Sequence, residues 1–475
     1  MPAGPRARIG GTHQLFQGVQ MRSHRRLIAV VASLALIGAA CGDDSEETTS
    51  TTEPAATTAA PEATDAPEAT DAPEATDAPE TTEAPEATTP ETTAYVPPAR
   101  GDADLVIWAD DTRTPVLQPI AEAFSAEEGI TVSVLEVPFD RIRDNLSTAG
   151  PAGEGPDIVI GAHDWLGELV SNGVVLPIDL GAAAADYSEV AVQAFAYDGQ
   201  TYGLPYAVEN IALIRNTDLV PEAPATFEEL SEIALGLVAD GTVEIPLAIQ
   251  QNPADPYHNY PLFSGSGGYI FGQNEDGSYN ADDLGIDSEG GLVAAQNFAD
   301  WSAAGLISKD ISYDIMIESF STGNAPFAIT GPWAVGNFTD AGVNFAVEPI
   351  PSIDGGTPNV FVGVQGFMIS AFTENEDLAK TFLLDYLNTE EVQLQLFEAG
   401  GRPPAMTSAF EQVASDPIVQ GFGLAGQQGA PQPAIPEMSA VWSTWTDAYN
   451  LIFTGSDPVQ AFTDAAATIR TAIAG

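Results

Sequence analysis

Between Leu105 and Ile160 the chain alternates apolar runs with amphipathic stretches, and this alternation restricts its fold more than any other feature. Leu105-Val106-Ile107-Trp108, Thr131 to Val137 and Pro156 to Ile160 have the length and apolar character of strands. Between them, residues 115–128 carry Val116, Leu117, Ile120, Ala123 and Phe124 on one helical face, and a second helix is expected around Asp140–Leu146. Strand–helix–strand–helix–strand implies a parallel sheet with right-handed connections. Ligands of such sheets bind beyond the carboxyl ends of the strands. Asp110 to Arg113 and Gly161 to Trp165 both follow strand ends, so they should share one crevice.

A second α/β set follows. Helices are expected at 226–239, 288–304 and 312–322, and strands at 245–249, 325–330 and 344–350. Asp287-Ser288-Glu289 is a helix start by capping. Helices at 376–387 and 389–399 come next, then a helical tail from about 408. Two extended stretches, near 204–211 and 361–370, carry the chain between the sets. The expected fold is therefore α/β, with two lobes joined by extended hinge crossings. The lobes would be 102–207 plus 365–412, and 208–364 plus 413–475, with a ligand cleft between them. In Pro326-Phe327-Ala328-Ile329-Thr330-Gly331-Pro332-Trp333 an apolar strand runs into a turn, with Pro332 suited to a first helical position. Trp333 then lies just past a strand end, either as a core indole or as a flat platform for a ligand.

The amino-terminal fifth is different. Arg22, Arg25 and Arg26 precede an apolar run from Leu27 to Ala40, which is signal-peptide length and too short to span a membrane as a helix. The true start would then be Met21. Residues 42–101 are rich in Thr, Pro, Ala and Glu, with Pro-Glu-Ala-Thr-Asp-Ala repeating from Pro61, Pro67 and Pro73. Nothing apolar recurs there to build a core, so a disordered, extended tether is expected. The chain holds 14 Lys and Arg against 68 Asp and Glu, a net charge of −54, which excludes a nucleic-acid partner. The same surplus of acid predicts a protein stabilised by salt. The single cysteine, Cys41, excludes an intrachain disulfide, and no Cys/His spacing suits a metal. There is no Walker A motif, no GxSxG elbow and no dinucleotide fingerprint, so no cofactor is expected. Paired carboxylates beside aromatic rings fit either a sugar-binding receptor or a glycoside hydrolase. The absence of a separate acid/base motif favours a binding protein that is not an enzyme.

The motifs together carry a family resemblance. Leu36-Ile37-Gly38-Ala39-Ala40-Cys41 resembles the lipobox of bacterial lipoproteins, with Gly38 where Leu is usual; this implies lipidation of Cys41 and anchoring to the outer face of the cell membrane. Residues 102–475 resemble the maltose-binding branch of bacterial extracellular solute-binding proteins. The resemblance is carried by Gly155-Pro156-Asp157-Ile158, Ala162-His163-Asp164, Tyr206-Ala207-Val208-Glu209, Asp255-Pro256-Tyr257, Gly331-Pro332-Trp333-Ala334, Phe361-Val362-Gly363-Val364 and the run Ile435 to Trp442. It implies a monomeric receptor that closes on a maltodextrin and delivers it to the permease subunits of an ABC transporter. It also implies that Trp333, Trp442 and Tyr257 stack on sugar rings, while Asp164, Glu209 and Asp255 bind hydroxyls. Arg113 falls where the family has a lysine and Asp110 where it often has an asparagine; the other reading of Arg113 is an interlobe salt bridge. Gly161 replaces a family Trp, and Trp165 the following Arg, so Trp165 is a candidate to supply the lost ring. Ser443 and Thr446 replace a family Tyr and Arg, which leaves a different oligosaccharide or a polyol open as ligand. The chemistry suits sugars in general: aromatic faces cover the C–H face of the ring, and charged groups bind its hydroxyl rim.

Overall fold

The computed structural model describes residues 95–274 and 277–475. The expected signal segment, Cys41 and nearly all of the tether lie outside these residues. The folded body takes in Arg100, whose guanidinium donates to Asp157 Oδ2 and to the Gly155 carbonyl, both at 2.8 Å. Asp157 is fully buried and also accepts from Val106 N at 2.7 Å, tying the entering chain to the first strand.

The first lobe is built as its alternation predicts. Strands Leu105–Ala109, Val132–Glu136 and Ile158–Ala162 pair in parallel, with Leu105–Ala109 in the middle. Helices Thr114–Glu128 and Phe139–Ala149 connect them. The sheet then adds antiparallel strands. Phe361–Ser370 pairs with Ile158–Ala162 on one side and with Gly203–Glu209 on the other. These two long strands are the extended crossings, lying side by side.

The second lobe has a three-stranded sheet. Ala212–Asn216 is central and antiparallel to both Phe327–Thr330 and Phe345–Glu348. Its two faces feed different cores. Leu213 and Ile329 pack with Phe227, Phe263, Phe298, Trp445 and Tyr449. Ala212, Ile214 and Ala328 pack with Phe320, Phe338 and Phe422. The first lobe has its own core, from Leu105 through Ala207 and from Val364 through Ala409. Ala207 and Val364 belong to that core, whereas Ile211 and Phe361 belong to the second lobe, so each crossing changes core within a few residues.

Helix starts follow their capping residues. Thr226, Ser288, Ser312 and Thr389 each accept a hydrogen bond from the third backbone N–H beyond them. One expectation needs correction, and one helix was not foreseen. Residues 245–249 form no strand: Pro246 has no N–H to donate, and only Ala248 bridges to Ala328. Pro256–Gly265, a helix containing Pro261, has almost every residue buried and so lacks the one-sided periodicity that would reveal it.

Candidate ligand-binding cleft

In the first lobe, the turn after Leu105–Ala109 is organised by Asp110. Its Oδ1 accepts from Thr112 Oγ1 at 2.9 Å and from the N–H groups of Thr112 and Arg113 at 3.2 and 3.1 Å. Its Oδ2 pairs with Arg113 Nη1. Arg113 is only 2% exposed, and its Nε donates to Tyr206 Oη at 2.6 Å. The guanidinium also lies over the rings of Phe139 and Tyr206. Arg113 is thus held inside its own lobe and makes no interlobe bridge. Its Nη2 is buried with no partner among the described residues.

The turn His163–Trp165 follows the third strand. His163 is buried, accepts from Val364 N–H through Nδ1 and donates from Nε2 to the Gln432 carbonyl, both at 3.1 Å. It therefore bolts the return crossing to the segment leading into the second lobe. Burial pushes its pKa down to about 4, despite the opposing hydrogen bonds. Asp164 is buried beside it. Desolvation pushes its carboxyl up to about 7, with Arg143 pulling the other way and Glu168 and Glu209 adding to the rise. Trp165 packs on Phe139 with ring centroids 5.0 Å apart. A Cβ on Gly161 would lie 2.6 Å from the Trp165 ring, so the missing side chain at 161 is what makes room for this indole.

Glu209 ends the outgoing crossing strand. Its two oxygens accept from Gln365 Nε2 at 2.8 Å and from Arg402 Nε at 2.7 Å. Arg402, buried, places its guanidinium 5.4 Å from the centroid of a Trp333 ring.

The second lobe supplies a row of rings. Tyr257 lies 6.2 Å from Trp333 and 6.3 Å from Phe361, and Phe361 meets Trp442 edge-on at 6.4 Å. Trp333 and Trp442 are half-buried, each presenting part of its indole to solvent. Asp255 caps the helix that carries Tyr257: Oδ1 accepts from Tyr257 N at 2.9 Å and Oδ2 from His258 Nδ1 at 2.6 Å. Burial raises the Asp255 pKa, but His258 and the backbone donors outweigh it, and the net shift is downward. Burial, with Glu209, Asp164 and Asp255 nearby, keeps the Tyr257 phenol neutral well beyond its ordinary range.

The structure thus gathers Asp164, Glu209, Asp255 and Tyr257 in one neighbourhood, with Trp333 and Trp442 along the same wall and the Asp110–Arg113 pair behind Tyr206. Trp165 joins the first-lobe side. Four residues that pattern reading did not assign to the site complete it, Tyr206, Phe361, Gln365 and Arg402, together with His258, which follows Tyr257. Arg402 had a usable signal, because a cation is rare in so acidic a chain. Tyr206, Phe361 and Gln365 sit inside apolar runs and read as core.

Two lobes joined by paired crossing strands, with aromatic rings and buried carboxylates gathered beside the crossings, define a two-lobed binding protein. The chain belongs to the bacterial extracellular solute-binding protein family, which it matches over residues 119–421. It is 32% identical to a galactooligosaccharide-binding protein of Bacillus subtilis over 383 residues, 78% of this chain and 89% of that protein. It is 27% identical to a maltooligosaccharide ABC transporter solute-binding lipoprotein of Streptococcus pneumoniae, over 78% of this chain and 87% of the other. Among solved structures it resembles the Thermus thermophilus maltotriose binding protein bound with maltotriose, with a TM-score of 0.72 and 32% identity over 78% of this chain and all of that one.

Proposed function

We propose that this protein is the substrate-binding lipoprotein of a carbohydrate ABC importer, taking an oligosaccharide of the maltodextrin type into the interlobe cleft. The observation that carries this reading is the row Tyr257, Trp333 and Trp442, with the carboxylates Asp164 and Glu209 close to Tyr257. Rings cover the apolar faces of the sugar; carboxylates accept its hydroxyls, each charge-assisted bond contributing roughly 1.5–3 kcal/mol. Asp255 acts mainly by orienting Tyr257 and His258. Asp110 holds Arg113, whose free Nη2 is a donor for the ligand, and Trp165 takes the place of the ring missing at Gly161. The lobes divide just after Ala207, between Phe361 and Val364 rather than at the expected 364/365, and at 412/413, and the protein works as a monomer anchored through Cys41. Closure of the lobes on the sugar creates the form that the permease recognises. The resemblance to maltotriose- and maltooligosaccharide-binding relatives supports the sugar class.

A galacto-oligosaccharide is the second reading, favoured by the 32% identity to the Bacillus protein of that name. A thermal-shift screen with maltose, maltotriose, β-1,4-galactobiose, trehalose and cellobiose separates the two, since a ligand of the native form raises Tm. Trp333→Ala should weaken the preferred sugar at least about tenfold with the fold intact. Unchanged affinity would return Trp333 to the core. Release of glucose from maltotriose by the pure protein would overturn the receptor reading in favour of a hydrolase.

A further inference from the structure

Arg402 stands on the first lobe, yet it holds groups on both sides of the lobe boundary. The helix Glu390–Gly400, whose Leu396 lies in the first core, ends in Gly400-Gly401. Gly401 has a left-handed backbone, φ 65°, and a Cβ there would sit 2.6 Å from the Pro332 carbonyl oxygen. A Cβ on Gly400 would sit 2.8 Å from Arg402 Nη1. The two glycines therefore let the first-lobe loop press on the Pro332-Trp333 turn of the second lobe, and leave room for Nη1 beside Gly400. From there Nε donates to Glu209 on the crossing, and the guanidinium covers part of Trp333. Arg402 is 8% exposed, and its Nη1 is buried with no partner among the described residues. A buried cationic donor without an acceptor is costly. Here it borders the ring on which the ligand is expected to stack.

We propose that Arg402 is an interlobe latch and a positioning residue for the ligand: it fixes Trp333 to Glu209 across the lobe boundary and offers Nη1 to a sugar hydroxyl. The hydroxyl contact rests on the oligosaccharide reading above; the latch does not. Lysine cannot substitute, because an ammonium can pair with Glu209 but has no plane to lay on the indole and no second fixed donor.

Two measurements on the full chain test this. The first needs no sugar: urea midpoints of wild type, Arg402→Ala, Trp333→Phe and the double variant. The latch requires non-additivity, with the double variant less destabilised than the sum of the single shifts. Additive shifts overturn it. The second is binding kinetics with maltotriose and β-1,4-galactobiose. Arg402→Ala should raise Kd about tenfold or more, chiefly through faster dissociation. Arg402→Lys should recover only a minor part of the loss at a near-wild-type Tm. Full recovery by lysine overturns the planar contact. A wild-type chain that binds neither sugar, nor any other sugar in the screen, overturns the receptor reading and the hydroxyl donor with it, while the urea cycle still decides the latch.

Discussion

His163 and Asp164 are adjacent and buried, and they pull the pH dependence of stability in opposite directions. Asp164 titrates near 7 in the fold against an ordinary 3.8, so the native state binds the extra proton between those values. Its contribution to stability falls as pH rises through that window and stays low above it. His163 titrates near 4 against an ordinary 6.5, so the unfolded chain binds the extra proton, and stability rises with pH across 4 to 6.5. The two slopes offset one another in the wild type. Asp164→Asn removes the falling one. The variant should match the wild type near pH 4 and exceed it by ~2–4 kcal/mol at pH 8, with stability climbing between pH 4 and 6.5. Urea unfolding at pH 4.5, 6 and 8 reads this directly, and a variant no more stable than wild type at pH 8 would refute the raised Asp164 pKa. Neither shift was legible in the sequence, which places both residues after a strand but does not say how completely the opposite lobe covers them. Conversely, Asp255 was expected as a carboxylate of the candidate site, while its capping of the Tyr257 helix depends on a helix that the sequence concealed.

At the scale of elements, the strand-to-turn unit Phe327–Trp333 works because its glycine is bare. Gly331 has an extended backbone, φ −105°, which any residue could adopt. What excludes a side chain is the indole itself: a Cβ would fall 2.1 Å from Trp333 Cζ3. Gly331→Ala should therefore displace the ring without straining the backbone. The expected result is a loss of sugar affinity of about tenfold, together with altered near-ultraviolet dichroism and a small change in Tm. Wild-type affinity would mean that the ring accommodates the methyl group and that its present pose is unimportant. Elements with one buried face, such as Thr114–Glu128 and Phe227–Ala239, were readable from periodicity. Elements buried all round were not: Pro256–Gly265 shows no periodicity, and the register that sets Phe361–Ser370 beside Gly203–Glu209 is a long-range pairing that no local pattern encodes.

Across the whole molecule, charge is the unresolved force. Arg100, Arg113, Arg141, Arg143, Arg215, Lys309, Lys380, Arg402 and Arg470 are all the lysines and arginines of the described residues, and each is paired with a carboxylate. Acidic residues outnumber them several-fold, so most carboxylates face only like charge. Two opposing effects of salt follow. Screening weakens the exposed pairs, such as Lys309–Asp310 and Arg141–Asp140, but these contribute at most ~1 kcal/mol each. The buried pairs Arg402–Glu209 and Arg113–Asp110 are screened little. Screening also relieves repulsion among the unpaired acids, whose number makes this the larger effect once the Debye length falls to about 10 Å near 0.1 M salt. The Tm of the sugar-free protein at neutral pH should therefore rise by several degrees between about 0.01 and 1 M sodium chloride, with most of the gain below about 0.3 M. Sodium chloride rather than a sulfate is the salt to use, because sulfate also strengthens apolar burial and would confuse the two causes. A Tm that falls over the low-salt range would show that the ion pairs outweigh the repulsion.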